Sequence, residues 1–172
     1  MGITTLGALH TALALVALLA AFISLGRTGL IAWHSRLGRL YVVTTVLTCI
    51  TGFGIFRRGG FNEAHMLGVV TLLAIGLAWL AARGALGARS PYIETVALSL
   101  TVFFHFIPGI TETSLRLPVG APLAASTEEP WLKVAASILF VVFLLGAWWQ
   151  VRHLRRLHQR SGGRVRQFMP TA

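Results

Sequence analysis

The sequence predicts an all-α membrane bundle with five spanning helices, on three observations. Of its 172 residues, 55% are hydrophobic and only 12% charged, with a mean hydropathy of +0.74. A soluble domain carries roughly 25% charged residues, so too few polar side chains remain here to cover a water-facing globule. Five apolar runs stand out, at about 3–25, 40–56, 64–82, 92–110 and 131–151. Basic and turn-forming residues gather in the gaps between them.

A helical run of ~20 residues, rising 1.5 Å per residue, crosses a hydrocarbon core of ~30 Å. Inside lipid every backbone N–H and C=O needs a partner within the protein, which leaves helices or barrel strands. The runs lack period-2 alternation and are about twice the length of a barrel strand, so they predict helices. The first has no basic residues before it and is long enough to span, unlike a cleaved signal peptide. Leu6 also stands where a myristoylation signal after Met1-Gly2 needs Ser or Thr. The second run is the shortest, and its pattern predicts a start within Ile31-Ala32-Trp33. The third opens on Asn62, a good N-cap, followed by Glu63 in the favourable first turn. The fourth opens on Ser90-Pro91, with Glu94 reading as another first-turn acid, and its pattern stops at Pro108-Gly109. A loop over 111–126 follows. The fifth starts after Thr127-Glu128-Glu129-Pro130. The predicted organisation is one transmembrane domain over 1–151 and a basic cytoplasmic tail over 152–172.

The net charge is +10, and its placement decides its meaning. With the N-terminus outside, the inner connections and tail hold eleven Arg: Arg27, Arg36, Arg39, Arg83, Arg89 and six in the tail. The outer side holds Arg57, Arg58, Arg116 and Lys133. Eleven against four predicts an N-out, C-in topology by the positive-inside rule. The same clustering at membrane edges argues against nucleic acid as a partner and for the lipid bilayer. Fourteen Arg against one Lys suits a GC-rich bacterium, hence a multi-pass protein of the bacterial cytoplasmic (inner) membrane. Trp131, Trp148 and Trp149 read as interfacial anchors. Cys49, the only cysteine, reads as a small buried hydrophobe.

Chemistry rests on histidine. His34, His153 and His158 fall at membrane edges, where interfacial position accounts for them. His10, His65 and His105 lie on three different runs, each within the outermost ~10 Å of the apolar layer on the predicted boundaries. Ionisable groups at such depth are rare and usually functional. One reading is haem b held by two histidines from facing helices. Each histidine has a glycine three or four positions away, Gly7 with His10, Gly68 with His65 and Gly109 with His105, giving a flat porphyrin room. Arg57 and Arg58, set against the positive-inside trend, would pair with propionates. His10 with His105 is the first axial pair, and His65 with His105 the alternative. A second reading is a transition-metal (Zn, Cu or Fe) binding or transport protein using His10, His65 and His105 with Glu63 or Glu112. A third is a cofactor-free accessory subunit whose histidines bond between helices. Phe103, Phe104 and Phe106 read as packing, and Thr44, Thr45, Thr48 and Thr51 as bonding back to their own helix. No hydrolase serine elbow, phosphate loop or dinucleotide fingerprint is present.

At His34-Ser35-Arg36-Leu37-Gly38-Arg39-Leu40-Tyr41, and again at His65-Met66-Leu67-Gly68, the chain resembles an uncharacterised family of small bacterial membrane proteins, over roughly residues 30–110. That resemblance implies a helical membrane fold and no particular activity. More loosely, the arrangement looks like membrane b-type cytochromes, which hold haem between histidines and move electrons. It implies a redox protein, or a redox-complex subunit beside other membrane redox subunits. His34 has no partner in an inner-leaflet helix, so one outer-leaflet haem is expected and not two.

Overall fold

A computed structural model describes residues 4–56 and 60–167, with side chains described through 159. Its elements are α1 (Thr5–Thr28), α2 (Arg36–Phe53), α3 (Glu63–Ala82), a 3-10 turn (Gly87–Arg89), α4 (Ser90–Ser114) and α5 (Pro130–Gln167), with no strand among the described residues. Sequence neighbours pack against one another. The α1–α2, α3–α4 and α4–α5 pairs are the close ones, α2 meets α3 less extensively, and α1 touches α4 only lightly.

The packing is polarised in a way water would not tolerate. Ala17, Ala20 and Ala21 of α1 meet Tyr41 and Val42 of α2, Ile75 and Ala78 of α3, and Ala97, Leu98 and Val102 of α4. Thr45, Thr71 and Thr101 are also buried, while Leu15, Leu19, Leu73, Val141 and Leu145 face outward. Small and hydroxyl residues inside with large apolar ones outside is how helices associate in lipid, where close backbone approach drives packing.

Four helical segments are long and apolar enough to cross a membrane: Thr5–Thr28, Glu63–Ala82, Gly87–Ser114 and Pro130–Gln159. α2 is the helix that separates this from the expected five. Arg36 and Arg39 occupy its first turn and threonines dilute its middle. The threonine polarity is largely hidden, because the Thr44, Thr48 and Thr51 hydroxyls donate to Leu40, Thr44 and Leu47 carbonyls at 2.7–2.8 Å.

Several predicted boundaries move. α2 does not begin within Ile31-Ala32-Trp33. α1 ends at Gly29, whose φ of 74° is the left-handed cap that favours glycine. The chain then turns, and Ser35 caps α2 by accepting the Gly38 N–H. α4 does not stop at Pro108-Gly109 but carries Pro108 inside it and runs to Ser114. Helices in lipid tolerate such a proline because neighbouring groups satisfy the freed backbone. The loop accordingly covers 115–129. Ser90 does not cap α4 either. Its hydroxyl accepts the Leu86 N–H from the preceding turn, and only Pro91 plays its expected part. Asn62 does cap α3, with Glu63 in the first turn. α5 runs unbroken past residue 151, so no break marks the predicted start of the tail.

Glu94 is the most instructive revision. It is not a first-turn acid. Its Oε1 accepts the Trp33 N–H at 2.7 Å, tying α4 to the α1–α2 connection across 61 residues of sequence. A charged acceptor on a partly buried N–H contributes about 1.5–3 kcal/mol. Glu94→Ala should therefore destabilise the protein by roughly that amount, while Glu94→Gln, which keeps an acceptor, should lose less than half of it. Reversible unfolding in detergent measures both, and equal losses would contradict the assignment.

In the same half of α4, Gln150 of α5 is buried between two partners. It accepts from the Ser99 hydroxyl at 2.8 Å and donates to the Gly29 carbonyl at 3.1 Å. Trp149 beside it lies where a Cβ on Gly29 would come within 2.8 Å of the indole. The α1 cap is thus also the docking point of α5.

Candidate cofactor site

α4 extends to Ser114, which lengthens the distance from His105 to its helix end. His105 lies nine residues from the end of α4, His10 five residues into α1 and His65 two into α3. At 1.5 Å per residue these are about 14, 8 and 3 Å below the ends of their own helices.

His10 leaves α1 to bond α2. Its Nδ1 lies 3.0 Å from the Thr48 carbonyl and 3.2 Å from the Thr51 hydroxyl. A carbonyl only accepts, so Nδ1 carries the proton and Nε2 keeps its lone pair. Gly52 makes the space, since a Cβ there would sit 3.2 Å from the imidazole Cε1. Gly54 likewise admits Leu6 at 3.0 Å. Gly52-x-Gly54 therefore serves close packing of α1 on α2 within this chain.

His105 is held in the same tautomer by its own helix. Nδ1 donates to the Thr101 carbonyl at 2.9 Å. The residue is 9% exposed, and its Nε2 is buried with no hydrogen-bond partner. Tyr41 stands beside it, with ring centroids 6.1 Å apart. The Tyr41 hydroxyl is fully buried and bonds Thr101 Oγ1 at 2.6 Å. Thr101 in turn donates to the Leu98 carbonyl, so this polar cluster has a defined direction. His10 and His105 lie within electrostatic range of one another, and His10 within range of Glu112. Glu112 pairs with Arg116 at the tip of α4.

His65 is not gathered with them. It occupies the third position of the α3 capping box, where its Nδ1 receives the Asn62 N–H at 3.3 Å. Its ring is 3% exposed and boxed by Phe53, Phe56 and Phe61 at centroid distances of 5.0–6.4 Å. The Nε2 inside that box has no polar partner. Gly68 leaves room for Phe53, whose ring a Cβ would meet at 2.9 Å, so its space is already filled. Gly7 belongs to the α1 start, donating to the Thr4 hydroxyl. A Cβ on Gly109 would meet nothing within 4 Å, which leaves open space one turn above His105. Arg57 and Arg58 lie outside the described residues.

Of the remaining histidines, His34 lies in the turn before α2, and His153 and His158 lie within the C-terminal half of α5. His34 Nε2 bonds the Ala82 carbonyl, His153 stacks on Trp149, and His158 bonds the Leu154 carbonyl. Phe103 packs on Phe104, Phe140 and Phe143, joining α4 to α5. Cys49 is buried and free.

Among the described residues, no group of three or more His, Cys, Asp or Glu side chains is placed to hold a metal ion. Glu63, at the N-terminus of α3, has no such company. The set of His10, His65, His105 and Glu63 is therefore not assembled, and what remains is a pair. Compared with known proteins, the chain matches no family model, no curated protein and no solved structure. The site's own residues must carry the functional argument. Thr48 and Thr51 bond back to their own helix as expected, and with Gly52 they also seat His10, while Tyr41 and Thr101 flank His105, roles that the sequence did not assign them. The signal for them was thin: a threonine pair three apart with a glycine beside it, and one tyrosine in an apolar helix.

Proposed function

We propose that this is a five-span protein of the bacterial cytoplasmic membrane, N-terminus outside. In this reading it binds one haem b between α1 and α4 through His10 and His105, as a redox protein or redox-complex subunit. One observation carries the reading. Both imidazoles commit Nδ1–H to a backbone carbonyl and so keep Nε2 free, which is how ligating histidines are oriented and made more basic. The buried, unpartnered Nε2 of His105 strengthens it, because such an atom is costly unless something else bonds it. The light contact between α1 and α4 favours that interface over the closed box around His65.

The fifth span is α2. Its 18 residues rise ~27 Å, and its threonines return their hydroxyls to the helix, so it tolerates a place between α1 and α3. The eleven-to-four division of Arg and Lys supports the orientation. Haem b supplies one-electron chemistry when bound. The chain's own residues do the rest. His10 and His105 supply the donor atoms, the carbonyls of Thr48 and Thr101 fix the ring tautomers, and Tyr41 with Thr101 steadies the inner wall. The apolar outer faces of α1 and α4 keep water away. A bare-metal reading finds no cluster to support it among the described residues.

A visible spectrum of the full-length protein, purified in detergent after expression with ample haem, tests this directly. A Soret band that sharpens on dithionite reduction, at about one haem per chain, is the expected result. A colourless protein that also fails to take up added hemin would reject it.

A further inference from the structure

The C-terminal part of α5 carries a feature that the histidine pair does not explain. Trp148, Trp149, Arg152, His153 and Arg156 line a groove of about 200 Å³. Helical spacing brings them together. Trp148, Arg152 and Arg156 succeed one another at four-residue steps, with Trp149 and His153 on the adjacent row. The Arg152 guanidinium lies 4.3 Å over the Trp148 ring. His153 stacks on Trp149 at 5.2 Å with only 4° between the planes. Trp149 is wedged on Gly29, and the buried Gln150 clamps the same turn to α1 and α4, so the groove stands on a fixed base.

Three observations identify the occupant. First, no carboxylate lines the groove, and neither Arg152 nor Arg156 makes an ion pair among the described residues. Two guanidiniums on one face suit an anion with paired oxygens, a phosphate above all. Second, a choline-type cation needs open aromatic faces, and each indole here already has a cation or an imidazole against it. Third, the same helical face continues back along α5 through Leu145, Leu144 and Val141, all exposed. Apolar stripe, indole pair and arginine pair follow one another as acyl chain, glycerol and phosphate do in a lipid.

We propose that this groove binds the headgroup phosphate of an anionic phospholipid, with its acyl chain along Val141, Leu144 and Leu145. The site does not depend on haem. It rests only on α5 crossing the bilayer, in whichever leaflet its C-terminal end emerges. Juxtamembrane basic residues attract anionic headgroups in general. A groove with fixed walls adds a saturable, one-to-one site, and that is what the experiment must find.

The full-length protein in detergent is titrated with short-chain phosphatidylglycerol, with phosphatidylcholine of equal chain length, and with inorganic phosphate. Tryptophan fluorescence and native mass spectrometry give the readouts. One phosphatidylglycerol should bind per chain, about tenfold or more tighter than phosphatidylcholine, and Arg152→Gln with Arg156→Gln should remove that preference while weak phosphatidylcholine binding persists. Arg152→Lys with Arg156→Lys keeps the charge but loses the fork, and should give a partial loss of about threefold. Equal affinity for the two lipids would overturn the proposal. So would inorganic phosphate binding as tightly as phosphatidylglycerol, which would make this a soluble-anion site. Unchanged selectivity in the lysine variant, should the glutamine variant not fold, would also overturn it.

Discussion

His105→Ala should abolish the Soret band while leaving the bundle assembled. The imidazole makes one hydrogen bond, to the Thr101 carbonyl of its own helix, and its Nε2 bonds nothing. Little of the packing therefore depends on its polarity. Its removal leaves a cavity and costs about 2–4 kcal/mol by large-to-small precedent, enough to lower a melting temperature without preventing purification. If Nε2 is an axial ligand, the cofactor loses an anchor that nothing nearby replaces. His10→Ala should abolish the band in the same way, since either variant leaves one histidine donor where the reading needs two. His65→Ala should retain full colour while losing stability, since its ring fills the Phe53, Phe56 and Phe61 box and completes the α3 cap. The three spectra together are discriminating. Full-intensity colour in His105→Ala, or loss of colour in His65→Ala alone, would remove the His10–His105 pair from the argument.

The ordering of those variants was only partly readable from the residues. Apolar run length located the five α-helices among the described residues, four of them long and apolar enough to cross a membrane. The ends were harder. Pro108-Gly109 is a stop signal in water, but lipid penalises an exposed backbone more than a proline costs, and α4 continues to Ser114. That shift put His105 nine residues from its helix end instead of about five. The His10 environment was opaque for another reason. Its partners, Thr48, Thr51 and Gly52, lie about forty residues away, and a lone threonine or glycine in a spanning helix has many ordinary uses. Glu94 shows the same limit, since an acid near a helix start usually serves its own helix, whereas here it binds Trp33. Spacing along one helix is visible in a sequence. Which residue of another helix stands opposite is not.

Gly38→Ala should be the most destabilising single change in the α1–α2 connection. Gly38 is the third residue of α2, where the chain from Ala32 to Ser35 folds back across the helix start. A Cβ at this position would fall 1.9 Å from the Ala32 carbonyl oxygen, 2.7 Å from its carbon and 2.9 Å from Ser35 Oγ. Two of these are backbone atoms, so no rotamer change relieves the overlap. The Ala32 carbonyl is itself held, accepting from the Ser35 N–H at 3.1 Å and from the Ser35 hydroxyl at 2.9 Å. Moving it would also disturb Ile31, fully buried in the core, and the Trp33 N–H on Glu94. Relief therefore requires giving up a cap, a core side chain or an interhelical bond, and the expected cost is roughly 3–5 kcal/mol. Gly76→Ala is the matched control. A Cβ there meets nothing within 4 Å, and the added helix propensity should leave the protein unchanged or stabilised by about 0.5–1 kcal/mol. Reversible unfolding in mixed micelles reads both. A Gly38→Ala variant within about 1 kcal/mol of the parent would mean that the Ala32–Ser35 turn is free to move, and that Glu94 ties down less than its geometry implies.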